Sequence, residues 1–185
     1  MSDLKIVIIP GNGGCDVLRD HWHPWLKKEL EKHHIHVVAK NMPDPFLARM
    51  KYWLPFMEKE LQCDENTVVI GHSSGAEAVM RYLETHTLRG AILVSACYTD
   101  LGLLEEKMSG YYSHPWLWSE MKDHAEWIAQ FHSLNDPFIP VTEARYVHEH
   151  LGTEYHELED GGHFIATAVF PELLEVILKK VRIHE

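Results

Sequence analysis

Short apolar runs alternate along the chain with longer stretches of helical periodicity, and this alternation restricts the possible folds more than any other feature. Most of the runs are continuously apolar or β-branched, as in strands that are buried on both faces. Strands that are joined by helices run parallel, so we predict an α/β fold whose parallel sheet is covered by helices on both sides. The runs cover residues 5–9, 35–39, 67–70, 90–95, 127–132 and 154–158, and the helical stretches cover 16–32, 45–62, 74–86, 142–151 and about 166–182.

One segment interrupts this alternation. Residues 97–125 form a long connection that is rich in aromatic residues and contains Gly102, Gly110 and Pro115. A connection of this length in a compact domain is usually functional or poorly ordered. The chain has 185 residues and neither a repeat nor a linker, so we predict a single domain, 1–185, with a substrate-facing insertion at about 97–125.

The balance of charges narrows the choice of partners. The chain has 17 basic and 28 acidic residues and a net charge of −11, which argues against nucleic acid or an anionic membrane. It contains no run of about 18 apolar residues, and the apolar stretch 4–9 is too short for a signal peptide, so we expect no membrane association. Three widely spaced cysteines suit reduced thiols in the cytoplasm; they are Cys15, Cys63 and Cys97.

A Gly-x-Ser-x-Gly motif at residues 71–75 follows the third apolar run and leads into a helical stretch. This is the strand–turn–helix setting of a nucleophile elbow, in which strand and helix crowd together and the positions two before and two after the exposed serine must be small. Centring the turn on Ser73 puts glycines at those positions, whereas centring it on Ser74 puts His72 and Ala76 there. We therefore predict Ser73 as a nucleophile; the alternative is an ordinary Gly-rich loop.

Polar residues also follow other predicted strands. Ligands of parallel α/β sheets bind beyond the carboxyl ends of the strands. Asp136 comes after the fifth run, His163 comes after the sixth, and the glycine-rich loop 10–14 comes after the first. Serine, aspartate and histidine thus occur in the chain order that α/β-hydrolases use, and the coincidence of three strand ends is far more specific than any one of them.

These residue types complement one another chemically. A serine hydroxyl is a weak nucleophile and needs a base, a role that suits the imidazole of His163 near neutral pH. The carboxylate of Asp136 can fix the imidazole tautomer and stabilise the imidazolium. Backbone N–H groups of Ser74 and Asn12 are the predicted oxyanion donors. We therefore expect a small carboxylic ester or amide to be cleaved through an acyl-enzyme, without a cofactor.

Other residues compete for these roles. Asp160 is only three residues from His163 and is more typical of a turn. Asp100 follows the fourth strand, a position that some hydrolases use for the acid, so it remains an alternative to Asp136. Three neighbouring histidines could suggest a metal, but no matching set of ligands accompanies them, so we predict no metal site; they are His33, His34 and His36.

The insertion at 97–125 is predicted to form the specificity wall, the side of the substrate pocket that selects among substrates. Ligand pockets are lined mainly by apolar and aromatic side chains, and the insertion follows the carboxyl end of a strand. The alternative is that its aromatic residues only attach a long loop to the body of the domain. The predicted substrate-binding residues are Tyr111, Tyr112, Trp116 and Trp118.

Short motifs extend over nearly the whole chain, at residues 10–14, 41–45, 53–57, 71–75, 109–111, 115–116, 118, 136–138 and 162–164. In these motifs the chain resembles the retinoblastoma-binding protein 9 family of small serine hydrolases. The resemblance implies a minimal α/β-hydrolase, a three-layer α/β/α sandwich with a six-stranded parallel sheet in the order 2-1-3-4-5-6. It also implies the triad Ser73, Asp136 and His163.

A second motif gives an alternative function. Leu61, Cys63 and Glu65 form a Leu-x-Cys-x-Glu sequence, the signature of proteins that dock into the retinoblastoma pocket. In an extended peptide these positions point the same way, as docking into a groove requires. Leu61 also continues the apolar helical pattern of Leu54 and Met57, which favours a place in the core. The alternative function is therefore binding to a retinoblastoma-type pocket protein.

Overall fold

The structure is a computed structural model, and it describes residues 4–182. At its centre lies a sheet of six parallel strands in the order β2-β1-β3-β4-β5-β6, which confirms the predicted architecture. Residues 1 and 185, the predicted bounds of the domain, lie outside the described residues. The strands are β1 (Lys5–Ile9), β2 (His36–Ala39), β3 (Thr67–His72), β4 (Gly90–Val94), β5 (Ile128–Ser133) and β6 (Glu154–Leu158).

Some helices begin later than their periodicity predicts, and left-handed residues explain two of these differences. His21 has a φ of 58°, so the helix predicted from residue 16 begins only at His23, with Pro24 in its first turn. Asp44 and Ala48 have φ values of 49° and 48° and delay the second helix in the same way. The helices of the described residues are α1 (His23–Lys32), α2 (Met50–Lys59), α3 (Ser74–Leu83), α4 (Leu104–Ser109), α5 (Trp118–Asp123), α6 (Val141–Leu151) and α7 (Pro171–Arg182).

Apolar side chains cover both faces of the sheet. Because side chains alternate along a strand, Val7 and Ile9 pack in one buried cluster with α2 and α3, whereas Ile6 and Ile8 pack in another with α1 and α7. The carboxyl ends of the strands remain as the edge where loops gather polar groups. No helix within residues 4–182 has the length and apolar character needed to cross a membrane.

Candidate active site

Ser73 occupies the turn between β3 and α3, and its backbone is strained. Its φ of 54° and ψ of −124° are uncommon for a residue other than glycine. The flanking glycines are required by space: a Cβ added at Gly71 would lie 2.3 Å from the Gly75 carbonyl oxygen, and one at Gly75 would lie 2.6 Å from that of Ile9. Ser73 is partly exposed and lines a cavity at the carboxyl edge. The turn therefore has the crowded geometry that the motif predicts.

The side chains of His163 and Asp136 meet, although they belong to different loops. His163 Nδ1 lies 2.8 Å from Asp136 Oδ2, and His163 lines the same cavity as Ser73. Asp136 Oδ1 accepts hydrogen bonds from the N–H groups of Phe138 at 2.9 Å and Ile139 at 3.0 Å. Burial alone would raise the pKa of Asp136, but the hydrogen bonds from His163 and from these backbone groups lower it below its ordinary value. An ionised carboxylate only accepts, so Nδ1 carries the proton and Nε2 of the neutral imidazole can accept one.

Both alternative carboxylates are engaged in hydrogen bonds elsewhere. Asp160 Oδ1 accepts a hydrogen bond from Asn135 Nδ2 at 2.6 Å, and Asn135 Oδ1 accepts another from the Gly162 N–H at 2.7 Å. These contacts tie the loop after β6 to the loop after β5. Asp100 accepts a hydrogen bond of 2.9 Å from the N–H two residues further on. The geometry therefore favours Asp136 over both of them as the partner of the imidazole.

The candidate residues open onto a cavity of about 280 Å³. Its entrance is apolar, because Leu103, Phe138 and Ile165 line it and are themselves exposed. Two carboxyl groups, those of Glu77 and Glu106, lie in its wall, and burial raises the pKa of each. Among residues 4–182, no group of histidine, cysteine or acidic side chains could hold a metal ion.

Glu77 is a cavity residue that the motifs did not reveal. It lies four residues after Ser73 on α3 and thus on the same helix face, and this spacing is the signal that could have identified it. Its side chain is buried, and Oε1 accepts a hydrogen bond from the Cys97 N–H at 2.9 Å. Cys97 Sγ lies 3.1 Å from the hydroxyl of Tyr112. Glu77 therefore connects the helix behind Ser73 to the start of the insertion.

The loop after β1 approaches Ser73 closely, as an oxyanion site would require. A Cβ added at Gly11 would lie 3.1 Å from the Ser73 Cβ. Asn12 lines the cavity, and its Nδ2 donates to Glu106 Oε1 at 3.1 Å. Ser74 is the first residue of α3, so its N–H has no partner within the helix. The two predicted donors thus belong to segments that adjoin Ser73.

Comparison with known proteins decides the family. Residues 6–179 match the model of a protein family described as serine hydrolase. The chain belongs to the serine hydrolase family. A curated relative, serine hydrolase RBBP9 of Rattus norvegicus, is 50% identical over 177 residues that cover 95% of both chains. The resemblance predicted from the motifs is therefore confirmed.

Solved structures share the fold of this serine hydrolase. The ydeN gene product of Bacillus subtilis has a TM-score of 0.87 at 26% identity, over 97% of this chain and 99% of that one. Est1E from Butyrivibrio proteoclasticus has a TM-score of 0.76 at 12% identity, over 97% and 88% of the two chains. At such low identity the second likeness concerns the fold alone. Together with the strand order, these similarities confirm an α/β-hydrolase fold.

The four aromatic residues predicted to bind substrate occupy different places in the serine hydrolase. Tyr112 lines the cavity, but Tyr111 is fully buried in the core. Trp116 lies outside the cavity, with its ring 3.7 Å from the guanidinium carbon of Arg81, and Trp118 packs against side chains of α6. Of the four predicted substrate-binding residues, only Tyr112 therefore lines the cavity of Ser73, and it also lines a second, more open cleft together with Trp116. The other three residues attach the insertion to the body of the protein.

Arg81 of the serine hydrolase is the main attachment point of the insertion. Its Nε donates to the Tyr111 carbonyl oxygen at 2.7 Å, and its Nη groups donate to those of His114 at 2.7 Å and Pro115 at 3.1 Å. Its charge is paired with Glu84, and the two side chains are only 1% and 6% exposed. A buried ion pair at the carboxyl end of α3 therefore fixes the backbone of the insertion.

The Leu-x-Cys-x-Glu segment lies largely in the core of the serine hydrolase. Leu61 is 2% exposed and Cys63 is 7% exposed, whereas Glu65 is exposed. The carbonyl oxygen of Cys63 accepts a hydrogen bond from the Tyr82 hydroxyl at 2.8 Å. Two of the three docking residues could therefore enter a partner's groove only after local unfolding.

Proposed function

We propose that this serine hydrolase cleaves a small carboxylic ester or amide through an acyl-enzyme on Ser73. The observation that carries the proposal is the 2.8 Å contact of His163 Nδ1 with Asp136 Oδ2, in a cavity that the strained Ser73 also lines. A serine, an imidazole and an orienting carboxylate together form an activated nucleophile. Family membership establishes a hydrolase, and these residues supply a mechanism for it.

The proposed reaction has two halves. In the first, His163 Nε2 takes the proton of the Ser73 hydroxyl while Oγ bonds to the substrate's carbonyl carbon. The oxyanion accepts hydrogen bonds from the N–H groups of Ser74 and Asn12. The tetrahedral intermediate then expels the alcohol or amine, which takes its proton from His163. In the second half, water replaces the leaving group and the same proton transfers regenerate free Ser73 and release the acid.

Asp136 acts on the base in this scheme. Its lowered pKa keeps it charged at neutral pH, so it stabilises the imidazolium that forms when His163 takes the proton. Its Oδ2 holds Nδ1–H of His163, while Oδ1 is fixed by two backbone N–H groups. A carboxylate that is held at both oxygens presents the imidazole in a single orientation.

The cavity supports a small substrate. Sites for drug-sized ligands measure roughly 300–1,000 Å³, so a volume of about 280 Å³ suits a short acyl group. The apolar entrance, formed by Leu103, Phe138 and Ile165, suits an uncharged leaving group.

The cytoplasm is the proposed location. Cys15, Cys63 and Cys97 are all free thiols. Unpaired cysteines of this kind are typical of a reducing compartment. The net charge of −11 likewise supports a protein that does not associate with anionic membranes.

Labelling with a fluorophosphonate probe tests the proposal. The parent protein should be modified at Ser73, and Ser73→Ala should lose the label while it keeps its thermal midpoint. Ser95→Ala is a matched control, because Ser95 is also a serine at a strand end with a positive φ of 54°, and it should label like the parent. An unlabelled parent, or equal labelling of Ser73→Ala, would exclude the mechanism.

A further inference from the structure

His72, the last residue of β3, connects the strand of the nucleophile to the loop of the base. It directly precedes Ser73 and is 1% exposed. Its Nε2 lies 2.8 Å from the carbonyl oxygen of His163. A carbonyl oxygen only accepts, so the proton of the His72 ring must be on Nε2.

The surroundings of His72 keep its ring neutral. Burial lowers its pKa well below the ordinary value, and the nearby rings of His23 and His163 act in the same direction. Its ring centroid lies 5.6 Å from that of His23 and 5.3 Å from that of His163. Its Nδ1 is buried without a hydrogen-bond partner, as expected for an uncharged ring in this tautomer. A neutral ring at this distance also avoids repelling an imidazolium at His163.

The loop that carries His163 needs external support. Gly162 and Phe164, on either side of His163, have positive φ values of 54° and 56°, so regular secondary structure does not fix the backbone here. Hydrogen bonds to the loop after β5 hold the residues before His163, as the Gly162 N–H donates to Asn135 Oδ1. The carbonyl group of His163 itself is held by His72.

We propose that His72 is a positioning residue, which sets the distance between Ser73 and the imidazole of His163 by holding the His163 carbonyl group. This proposal rests on the proposed function for its kinetic consequence. His72 and Ser73 are adjacent in the chain, so this hydrogen bond fixes the position of the base relative to the strand that carries the nucleophile. A displacement of about 1 Å in such a pair can lower the rate by about 10²-fold.

Substitutions of His72 separate the effect of its hydrogen bond on activity from the effect of its ring volume. His72→Phe keeps a ring but removes the donor, and we expect kcat on a p-nitrophenyl ester to fall about 10- to 100-fold with little change in KM. His72→Gln can place an amide N–H near the position of Nε2 and should recover most of kcat, whereas the shorter His72→Asn should not. A folded His72→Phe with the parent's kcat, or a His72→Gln no better than His72→Asn, would overturn the proposal. The Gln and Asn pair keeps the test decisive if His72→Phe does not fold.

A control separates positioning from general stability. The ring of His124 also donates to a carbonyl oxygen, that of Leu83 at 2.7 Å, but His124 lies in the insertion and does not line the cavity. His124→Phe should lower the thermal midpoint while leaving kcat near the parent's value. If it lowered kcat as much as His72→Phe does, the effect of His72 would be one of stability.

Two further measurements test whether His72 acts through His163. In a His163→Ala background, His72→Phe should not slow fluorophosphonate labelling further, because the residue acts through His163; an equal further loss would contradict this. Ring ¹⁵N NMR of the parent should show His72 protonated on Nε2 at neutral pH, and protonation on Nδ1 would overturn the proposal. This spectrum does not depend on activity, so an inactive parent with the expected tautomer would count against the proposed function alone.

Discussion

The loops after β5 and β6, which carry Asp136 and His163, lie at the same edge of the sheet as the insertion, but the loops and the insertion are held in different ways. The loops after β5 and β6 are tied mainly by short hydrogen bonds between each other's turn residues, as between Asn135 and Gly162 at 2.7 Å. The insertion is held instead by buried ionisable side chains of other elements, above all Arg81 and Glu77 of α3. The difference implies that changes in the loops affect chemistry with little loss of stability, whereas changes beneath the insertion affect stability first.

Removal of the orienting charge should have the largest effect. Asp136→Asn keeps the shape of the side chain but favours the wrong imidazole tautomer, and we expect kcat to fall about 10⁴-fold by analogy with serine proteases. The thermal midpoint should change little. Steady-state kinetics on a p-nitrophenyl ester, with circular dichroism as the check on folding, measure both quantities. A greater loss in Asp100→Asn than in Asp136→Asn would show that the acid is assigned to the wrong loop.

Loss of the buried cation should mainly affect stability. Arg81→Met leaves the Glu84 carboxylate buried without its partner, so we expect a cost of about 3–5 kcal/mol in the free energy of unfolding, measured with urea. The matched control is Arg145→Met, because Arg145 pairs with Glu157 at 2.8 Å on the surface, and it should cost no more than about 1 kcal/mol. Equal costs in the two variants would mean that the insertion is not held by Arg81.

The pH dependence of stability should reveal the buried acid under the insertion. Burial raises the pKa of Glu77 in the folded state, so the unfolded chain ionises first as the pH rises above about 4.3. The parent therefore loses stability between the unfolded and the folded pKa, and Glu77→Gln, which keeps an acceptor for the Cys97 N–H, does not. We expect the thermal midpoint of the variant to exceed the parent's at pH 7 and to approach it below about pH 4.

A glutamate whose pKa is shifted in the opposite direction provides the control for this measurement. The hydrogen bond from Arg145 lowers the pKa of Glu157, so Glu157→Gln should reduce stability at pH 7 or leave it unchanged. A Glu77→Gln variant that is less stable than the parent at pH 7 would show that Glu77 is charged and paired in the folded protein.

Changes of substrate preference should be the smallest effects. Tyr112→Ala enlarges the cavity and should shift the preference among p-nitrophenyl esters towards longer acyl chains, by a few-fold in relative kcat/KM. Trp118→Ala removes a ring that packs on α6, so the thermal midpoint should fall while the preference stays the same. The reverse pattern would restore Trp118 to the specificity wall.

The placement of Ser73, Asp136 and His163 at one edge of the sheet can be predicted from the sequence because local geometry determines it. Only small residues fit two positions before and after Ser73, and Gly71 and Gly75 are visible in the sequence. Asp136 and His163 follow predicted strands, and parallel strands bring their carboxyl ends to one edge. The pairing of these residues therefore follows from the strand order, although their roles remain predictions.

The arrangement of the insertion is harder to predict because it depends on contacts with residues that are distant in the sequence. Tyr111 and Tyr112 are adjacent residues of the same type, yet Tyr111 is in the core and Tyr112 lines the cavity. Nothing in the sequence distinguishes them, since the choice depends on backbone carbonyl groups that Arg81 binds. Left-handed residues are equally hard to foresee when they are not glycine, as His21 shows at the start of α1.

Peptide mapping of the enzyme during turnover tests the central claim most directly. The protein is quenched with acid while it hydrolyses a p-nitrophenyl ester, and mass spectrometry locates the acyl group. We predict one acyl group on Ser73. Burial raises the pKa of Cys15 to about 12 and that of Cys97 well above its ordinary value, so neither thiol of the cavity should react. An acyl group on either cysteine, or turnover without any acylated residue, would contradict a serine nucleophile at the elbow.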